Sequence, residues 1–264
     1  MLSNSDKAVK IREGQSLKTD SLETFIRNAM ELPEAHMEVL QFPSGYSNLT
    51  YLLKFGKKEL VLRKPPQGVK IKSGHDMGRE FRILSGLHPL YNRVPQPFLF
   101  SDKLSIIGTP FYIMERMHGV IFRGHTPKDQ LPDLNQMRKL SEAFVSTLVE
   151  IHSFNYHAAG LENLGRPDGY VKRQIEGWTK RYIKAKTDEF KPLEKVYTWL
   201  NKNIPTEKRS ALIHNDFKYD NLILSQDKSL NIKGILDWEM ATIGDPLMDL
   251  GTTLGYWIQE SDPD

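Results

Sequence analysis

The stretch His214-Asn215-Asp216-Phe217-Lys218-Tyr219-Asp220-Asn221 sets a carboxylate, a cation and an amide at fixed spacing. Asp216 lies two residues after the histidine, Lys218 two further on, and Asn221 five past the aspartate. A second acidic element, Asp237-Trp238-Glu239, follows. These side chains suit phosphoryl transfer to a hydroxyl group. That reaction asks for phosphates held by cations, a positioned hydroxyl and a carboxylate to take its proton. Asp216 is the expected proton acceptor, and Lys218 the expected neutraliser of the γ-phosphate. Asn221 and Asp237 are the expected Mg²⁺ ligands, because amide and carboxylate oxygens suit that hard cation. His214 is expected to brace the loop. Composition alone predicts roughly 0.02 occurrences of His-x-Asp-x-x-x-x-Asn in this chain, so the spacing carries information.

The surrounding sequence must position these groups. Ala211 to Ile213, Leu222 to Leu224 and Ile232 to Leu236 read as short β runs that bracket the motif. Upstream, Glu38 to Phe42, Leu49 to Phe55 and Glu59 to Arg63 read as strands, followed by a helix from Asp76 to Leu87 and strands at Pro95 to Phe100 and Pro110 to Met114. An earlier helix is expected to start at Asp20, with Glu23 completing a capping box. Leu140, Phe144, Leu148 and Ile151 mark one face of a long helix. Tyr170 to Lys186 and Phe190 to Asn203 read as two more. Asp245 before Pro246 is placed as a helix cap. His152 reads as a packing histidine, and Trp178 with Tyr182 as core or pocket wall.

In the strand region, Gly45, Ser47 and Asn48 form a polar turn between two strands, where phosphates could be covered. Arg63 ends the third strand and shares a face with Val61. It is expected to hold phosphates through its forked guanidinium. Lys64, on the opposite face, reads as a solvated edge-strand charge. Glu80, on the following helix, is expected to pair with Arg63.

The chain has 264 residues, 39% of them hydrophobic and 26% charged, with a net charge of +3. This composition predicts a soluble folded protein, not a disordered one. Scattered Lys and Arg give no nucleic-acid footprint. With no cysteine, thiolate nucleophiles and zinc–thiolate sites are excluded. The polar N-terminus does not read as a secretory signal, and no apolar run approaches the ~20 residues of a membrane span. The expected location is the cytoplasm, without membrane or nucleic-acid partners. Oligomeric state is not legible.

Several segments, in this order, resemble the aminoglycoside phosphotransferase and choline kinase superfamily, which shares the protein-kinase fold. They are Ser47 to Tyr51, Leu60 to Arg63, Arg79 to Phe81, Pro110 to Arg116, Tyr170 to Trp178 and Leu236 to Leu250, and the likeness is strongest to the branch fused to acyl-CoA dehydrogenases. The resemblance implies an α+β bilobal, kinase-like fold: a flexible arm over 1–18, a small antiparallel-sheet nucleotide lobe over 19–116 and a larger, mainly helical catalytic lobe over 117–264. It also implies that further helices follow Asp264, so the second lobe is expected to be incomplete and the chain truncated. It implies an ATP- and Mg²⁺-dependent small-molecule kinase, with GTP the alternative donor. In it, the Glu115 carbonyl and the Met117 amide would bind adenine, and Asp249 would brace the catalytic loop. A hydroxyacyl-CoA or hydroxy acid is the implied acceptor, and an acyl-CoA dehydrogenase the implied functional link. An aminoglycoside or choline-type acceptor, or a nucleotide-binding pseudoenzyme, are the alternatives. A protein kinase is disfavoured, because Asp237-Trp238-Glu239 stands where Asp-Phe-Gly would be and no Ala-Pro-Glu segment follows.

Overall fold

Five antiparallel strands carry the first half of the chain, and alternating apolar residues seat them on a helix. The computed structural model describes residues 7–43, 48–66, 76–124, 126–227, 229–257 and 262. Strands β1 (Met37–Gln41), β2 (Leu49–Phe55), β3 (Lys58–Lys64), β4 (Pro97–Ser101) and β5 (Phe111–Glu115) form a sheet of order β1-β2-β3-β5-β4. Tyr51, Leu53, Phe55, Leu60, Leu62, Phe111 and Ile113 point from it into a core. The same core takes Leu22 and Ile26 of α1 (Thr19–Ala29) and Ile106 and Ile107 of the short α3 (Leu104–Ile107). Helix α2 (Met77–Leu87) lies between β3 and β4 in sequence. Asp76 caps it by accepting from the Arg79 N–H at 2.9 Å.

The chain divides into two compact units. The first comprises residues 1–147 and 218–240. It holds the five-stranded sheet, α1 to α3 and the hairpin of β7 (Leu222–Leu224) with β8 (Ile232–Ile235). The second comprises residues 148–217 and 241–264. It holds α5 (Tyr170–Ala185), α6 (Lys191–Lys202), α7 (Pro246–Leu254) and the antiparallel pair of β6 (Ala211–Ile213) with β9 (Thr242–Gly244). Helix α4 (Leu134–Ser153) runs through the division in sequence. The architecture is α+β, as the sequence implies.

Three local expectations are corrected. Asp20 does not cap α1, which starts at Thr19 without a side-chain cap, and Glu23 pairs with Arg27 at 2.7 Å instead. Lys64 is buried, because β3 lies inside the sheet between β2 and β5, and burial lowers its pKa. Part of the segment expected as an arm packs on the sheet. Val9 bridges Gln41, the Tyr51 hydroxyl donates to the Gln15 carbonyl at 2.8 Å, and Ile11 and Leu17 join the core.

Gly119 is required by a close approach. Val120 and Leu224 exchange backbone hydrogen bonds at 2.9 and 2.8 Å, and a Cβ on Gly119 would meet the Leu224 carbonyl oxygen at 2.3 Å. Gly119→Ala is expected to destabilise the fold by about 1–3 kcal/mol, read as a lower denaturant midpoint.

Candidate functional site

In the first unit, one pocket gathers most of the groups singled out in the sequence. Val61 and Arg63 line it from β3 and Thr50 from β2, while Lys64 does not. Met114, Glu115, Arg116 and Met117 line it where β5 runs into the following loop. Asn221, Ile223, Leu236 and Asp237 line it from the β7–β8 region. The space is about 720 Å³ including its open mouth. Apolar Val61, Met114, Met117, Ile223 and Leu236 suit a flat aromatic group, and Arg63, Asn221 and Asp237 add charge and oxygen donors.

Arg63 is the electrostatic centre of this pocket. Its Nη1 donates to Glu80 Oε1 at 2.7 Å, so the pair expected from the sequence is formed. Its Nη2 donates to Asp237 Oδ1 at 2.7 Å and to Glu239 Oε2 at 3.3 Å. Burial alone would lower the guanidinium's pKa, but Glu80 and then Asp237 hold it well above its ordinary value. Burial also pushes the Glu80 carboxyl up, further than Arg63 pulls it down.

Glu239 ties two ends of the sequence together. It accepts from the Asn48 amide, and its carbonyl accepts from Arg79 Nη1 at 2.9 Å. Gly45 and Ser47 lie outside the described residues. Trp238 is buried and donates its indole N–H to the Ile235 carbonyl at 3.0 Å, which anchors the segment carrying both acids. Asp237 itself has φ 69°, a left-handed conformation that Asp tolerates better than most residues. Asn221 is held by backbone bonds: its N–H donates to Lys218 O at 3.0 Å, and its carbonyl accepts from Leu236 N at 2.8 Å. At the other end of the pocket, the Glu115 carboxylate accepts from Gln96 N at 3.2 Å, and Glu115 N donates to Gln96 O at 2.8 Å.

Lys218 to Asn221 belong to the first unit, and His214 to Phe217 to the second. In the second unit, helix α7 shapes the loop that carries Asp216. Asp245 caps α7 by accepting from Leu247 N at 2.8 Å. One turn in, fully buried Asp249 accepts from the backbone N–H of His214 at 2.8 Å and of Asn215 at 2.7 Å. Asp249 thus braces the loop that carries Asp216. Asn215 takes φ 64° in this bend. Thr253, one turn further along α7, donates to the Phe217 carbonyl at 3.1 Å. His152 Nε2 also meets Asp249 Oδ2, at 2.9 Å, so this packing histidine has a specific partner. His214 Nδ1 accepts from the Asp216 N–H at 3.2 Å, consistent with a bracing role.

Burial alone would raise the Asp249 pKa, but the bond to His152 and the backbone N–H groups of His214 and Asn215 outweigh it and hold the carboxyl below its ordinary range. A depressed carboxyl contributes stability that is full above its unfolded pKa and is lost as pH falls through the folded value. Asp249→Ala is expected to cost about 1–3 kcal/mol for each N–H it strands. The unfolding curves of wild type and variant should converge on acidification, which a denaturant series across pH would check.

Glu239, Thr253 and Arg79 were not anticipated as contributors. Glu239 had a signal in its place two residues after Asp237. Thr253 had none, and Arg79 stood only within a segment of family resemblance, because their partners Phe217 and Glu239 are distant in sequence. Trp178 and Tyr182, expected as core or pocket wall, line an apolar groove with Ile175, Val196, Leu200 and Met248.

Among the described residues, no cluster of three or more His, Cys, Asp or Glu forms a metal cage. None of the helices described is long and apolar enough to cross a membrane.

Residues 38–264 match the phosphotransferase enzyme family. The chain is 35% identical over 257 residues to acyl-CoA dehydrogenase family member 10 of Mus musculus, covering 96% of this chain and 24% of the relative. It is 38% identical over 220 residues to acyl-CoA dehydrogenase family member 11 of Homo sapiens, covering 82% of this chain and 28% of the relative. The chain therefore spans about a quarter of the length of these relatives. Among solved structures, a Ralstonia eutropha protein assigned to the aminoglycoside phosphotransferases superposes with TM-score 0.78 at 28% identity, over 94% of this chain and 72% of that one. The GDP complex of aminoglycoside 2'-phosphotransferase-IIIa gives TM-score 0.64 at 18% identity, over 86% of this chain and 73% of that one. The fold is that of kinase-like phosphotransferases.

Proposed function

The chain belongs to the phosphotransferase enzyme family, and we propose that it is an ATP- and Mg²⁺-dependent O-phosphotransferase acting on a hydroxyl of a small molecule. The observation that carries this reading is the pocket of the first unit, where apolar walls meet Arg63, Asn221 and Asp237. Its donor set fits the proposed ligands. One amide and one carboxylate oxygen suit Mg²⁺, which usually takes one or two carboxylates and completes its shell with water and substrate phosphates.

In this reading, the Glu115 carbonyl and the Met117 amide hold adenine, with Val61 and Leu236 against its faces. Gly45, Ser47 and Asn48 cover the phosphates, and Arg63, oriented by Glu80, grips them. Asn221 and Asp237 hold Mg²⁺, which when bound supplies charge neutralisation on the phosphates. Asp216 accepts the proton of the acceptor hydroxyl, and Lys218 offsets charge on the transferring group. Backbone contacts at Glu115 and Met117 leave GTP as the alternative donor.

The names of the relatives support an acceptor from acyl metabolism, a hydroxyacyl-CoA or hydroxy acid, and a functional link to an acyl-CoA dehydrogenase. The solved neighbours support an aminoglycoside-type acceptor less directly. The test is a thermal-shift series with ATP and GTP, with and without Mg²⁺, followed by coupled ATP-turnover assays over hydroxyacyl-CoA, hydroxy acid, aminoglycoside and choline panels. Mg²⁺-dependent stabilisation by nucleotide is expected, since ligands that bind only the folded state raise its stability. Stabilisation without turnover on any panel would make the chain a nucleotide-binding module instead.

A further inference from the structure

We propose that Tyr256 is a phosphoryl acceptor for the chain's own Asp216, so that the protein phosphorylates itself there. This rests on the reading of Asp216 as the base. The Tyr256 hydroxyl donates to Asp216 Oδ1 at 2.5 Å, and both residues belong to the second unit. A general base must stand within hydrogen-bond reach of the proton it removes, and this hydroxyl meets that condition without any substrate.

The contact is built by the helix that shapes the loop. Helix α7 holds His214 and Asn215 through Asp249 and holds Phe217 through Thr253. It ends at Leu254, and Tyr256 follows two residues later, with its N–H on the Thr253 carbonyl at 3.2 Å. The same element therefore fixes the carboxylate's loop and delivers the phenol to it. Tyr256 remains 45% exposed, so its ring is not sealed in the core.

The step balances with a nucleoside triphosphate as co-reactant. A bond forms from Tyr256 Oη to the γ-phosphorus as the bond from that phosphorus to the β,γ-bridging oxygen breaks. The phenolic proton passes to Asp216 Oδ1, and the nucleoside diphosphate leaves. The product carries about −1.5 to −2 charge beside a carboxylate. That repulsion turns the ring away from Asp216, and the single phenolic hydroxyl limits the reaction to one phosphate per chain.

The experiment incubates the phosphatase-treated full chain with ATP and Mg²⁺, without any added acceptor, and follows intact mass and peptide maps. One phosphate on the peptide containing residue 256 is expected. Its first-order rate should be independent of protein concentration, and the mark should be absent from Tyr256→Phe and Asp216→Asn. The melting shift with ATP and Mg²⁺ is measured on all three proteins. An unmodified wild type that still shows the shift overturns this inference and leaves the nucleotide site standing, whereas loss of both overturns the two together. Phosphate at another residue, a rate that rises with protein concentration, or a marked Asp216→Asn chain would each refute it.

Discussion

Asp216→Asn is expected to lower acceptor turnover by about 10²–10⁴-fold while leaving the melting shift with ATP and Mg²⁺ intact. The substitution is nearly isosteric, and the described contacts that shape the loop come from elsewhere. Asp249 takes the N–H groups of His214 and Asn215, and Thr253 takes the Phe217 carbonyl. The Asn oxygen can still accept from Tyr256, whose bond falls on Asp216 Oδ1. What the proposed role loses is the capacity to receive a proton as the acceptor oxygen attacks. The residues proposed to hold nucleotide, among them Arg63, Asn221 and Asp237, belong to the other unit and are untouched. The check is a paired measurement of turnover and nucleotide-induced melting shift on wild type and variant. Full turnover in the variant would remove Asp216 from the role of base.

Local pattern made some of this structure legible. β6 and β7 occupy Ala211–Ile213 and Leu222–Leu224, the bounds read from the sequence, because short apolar runs there are fenced by polar residues. Helix α2 starts after Asp76, whose side chain both marks and makes the cap. The shared face of Val61 and Arg63 followed from strand alternation, and Glu80 stands close behind on the next helix. Pairings across long stretches of chain were not legible. β9, Thr242–Gly244, is three residues with no pattern of its own and exists as a partner to β6. The Asn48–Glu239 bond spans 191 residues, and Arg63–Glu239 spans 176. Lys64 was misread because its burial depends on β2 and β5 flanking β3, which no window around residue 64 reveals. Tyr256 is a solitary tyrosine after a helix end, and only the folded loop brings Asp216 to it.

Arg63→Met is expected to cost about 3–5 kcal/mol of stability and to abolish the nucleotide-induced melting shift. The guanidinium is buried and serves three acids, Glu80, Asp237 and Glu239. Removing it leaves them as uncompensated negative charges, with Glu80 nearly inaccessible to water. The loss must depend on pH. Burial already raises Glu80 above its ordinary value, with Asp237 adding to the rise and Arg63 opposing it. A raised carboxyl contributes stability that is full below its unfolded pKa and is lost as pH climbs through the folded value. Without Arg63 the folded value moves higher still, so the variant gives up more at neutral pH than in mild acid, where protonated Glu80 needs no cation. Taking the difference between wild-type and variant unfolding free energies at each pH cancels the acid loss at Asp249, which both proteins share. Arg63→Lys should fall between the two, since an ammonium keeps the charge but cannot fork between Glu80 and Asp237. A pH-independent difference would mean that Glu80 does not depend on Arg63 for its charge, and a melting shift that survives in Arg63→Met would mean that the proposed grip on phosphates is built from other groups.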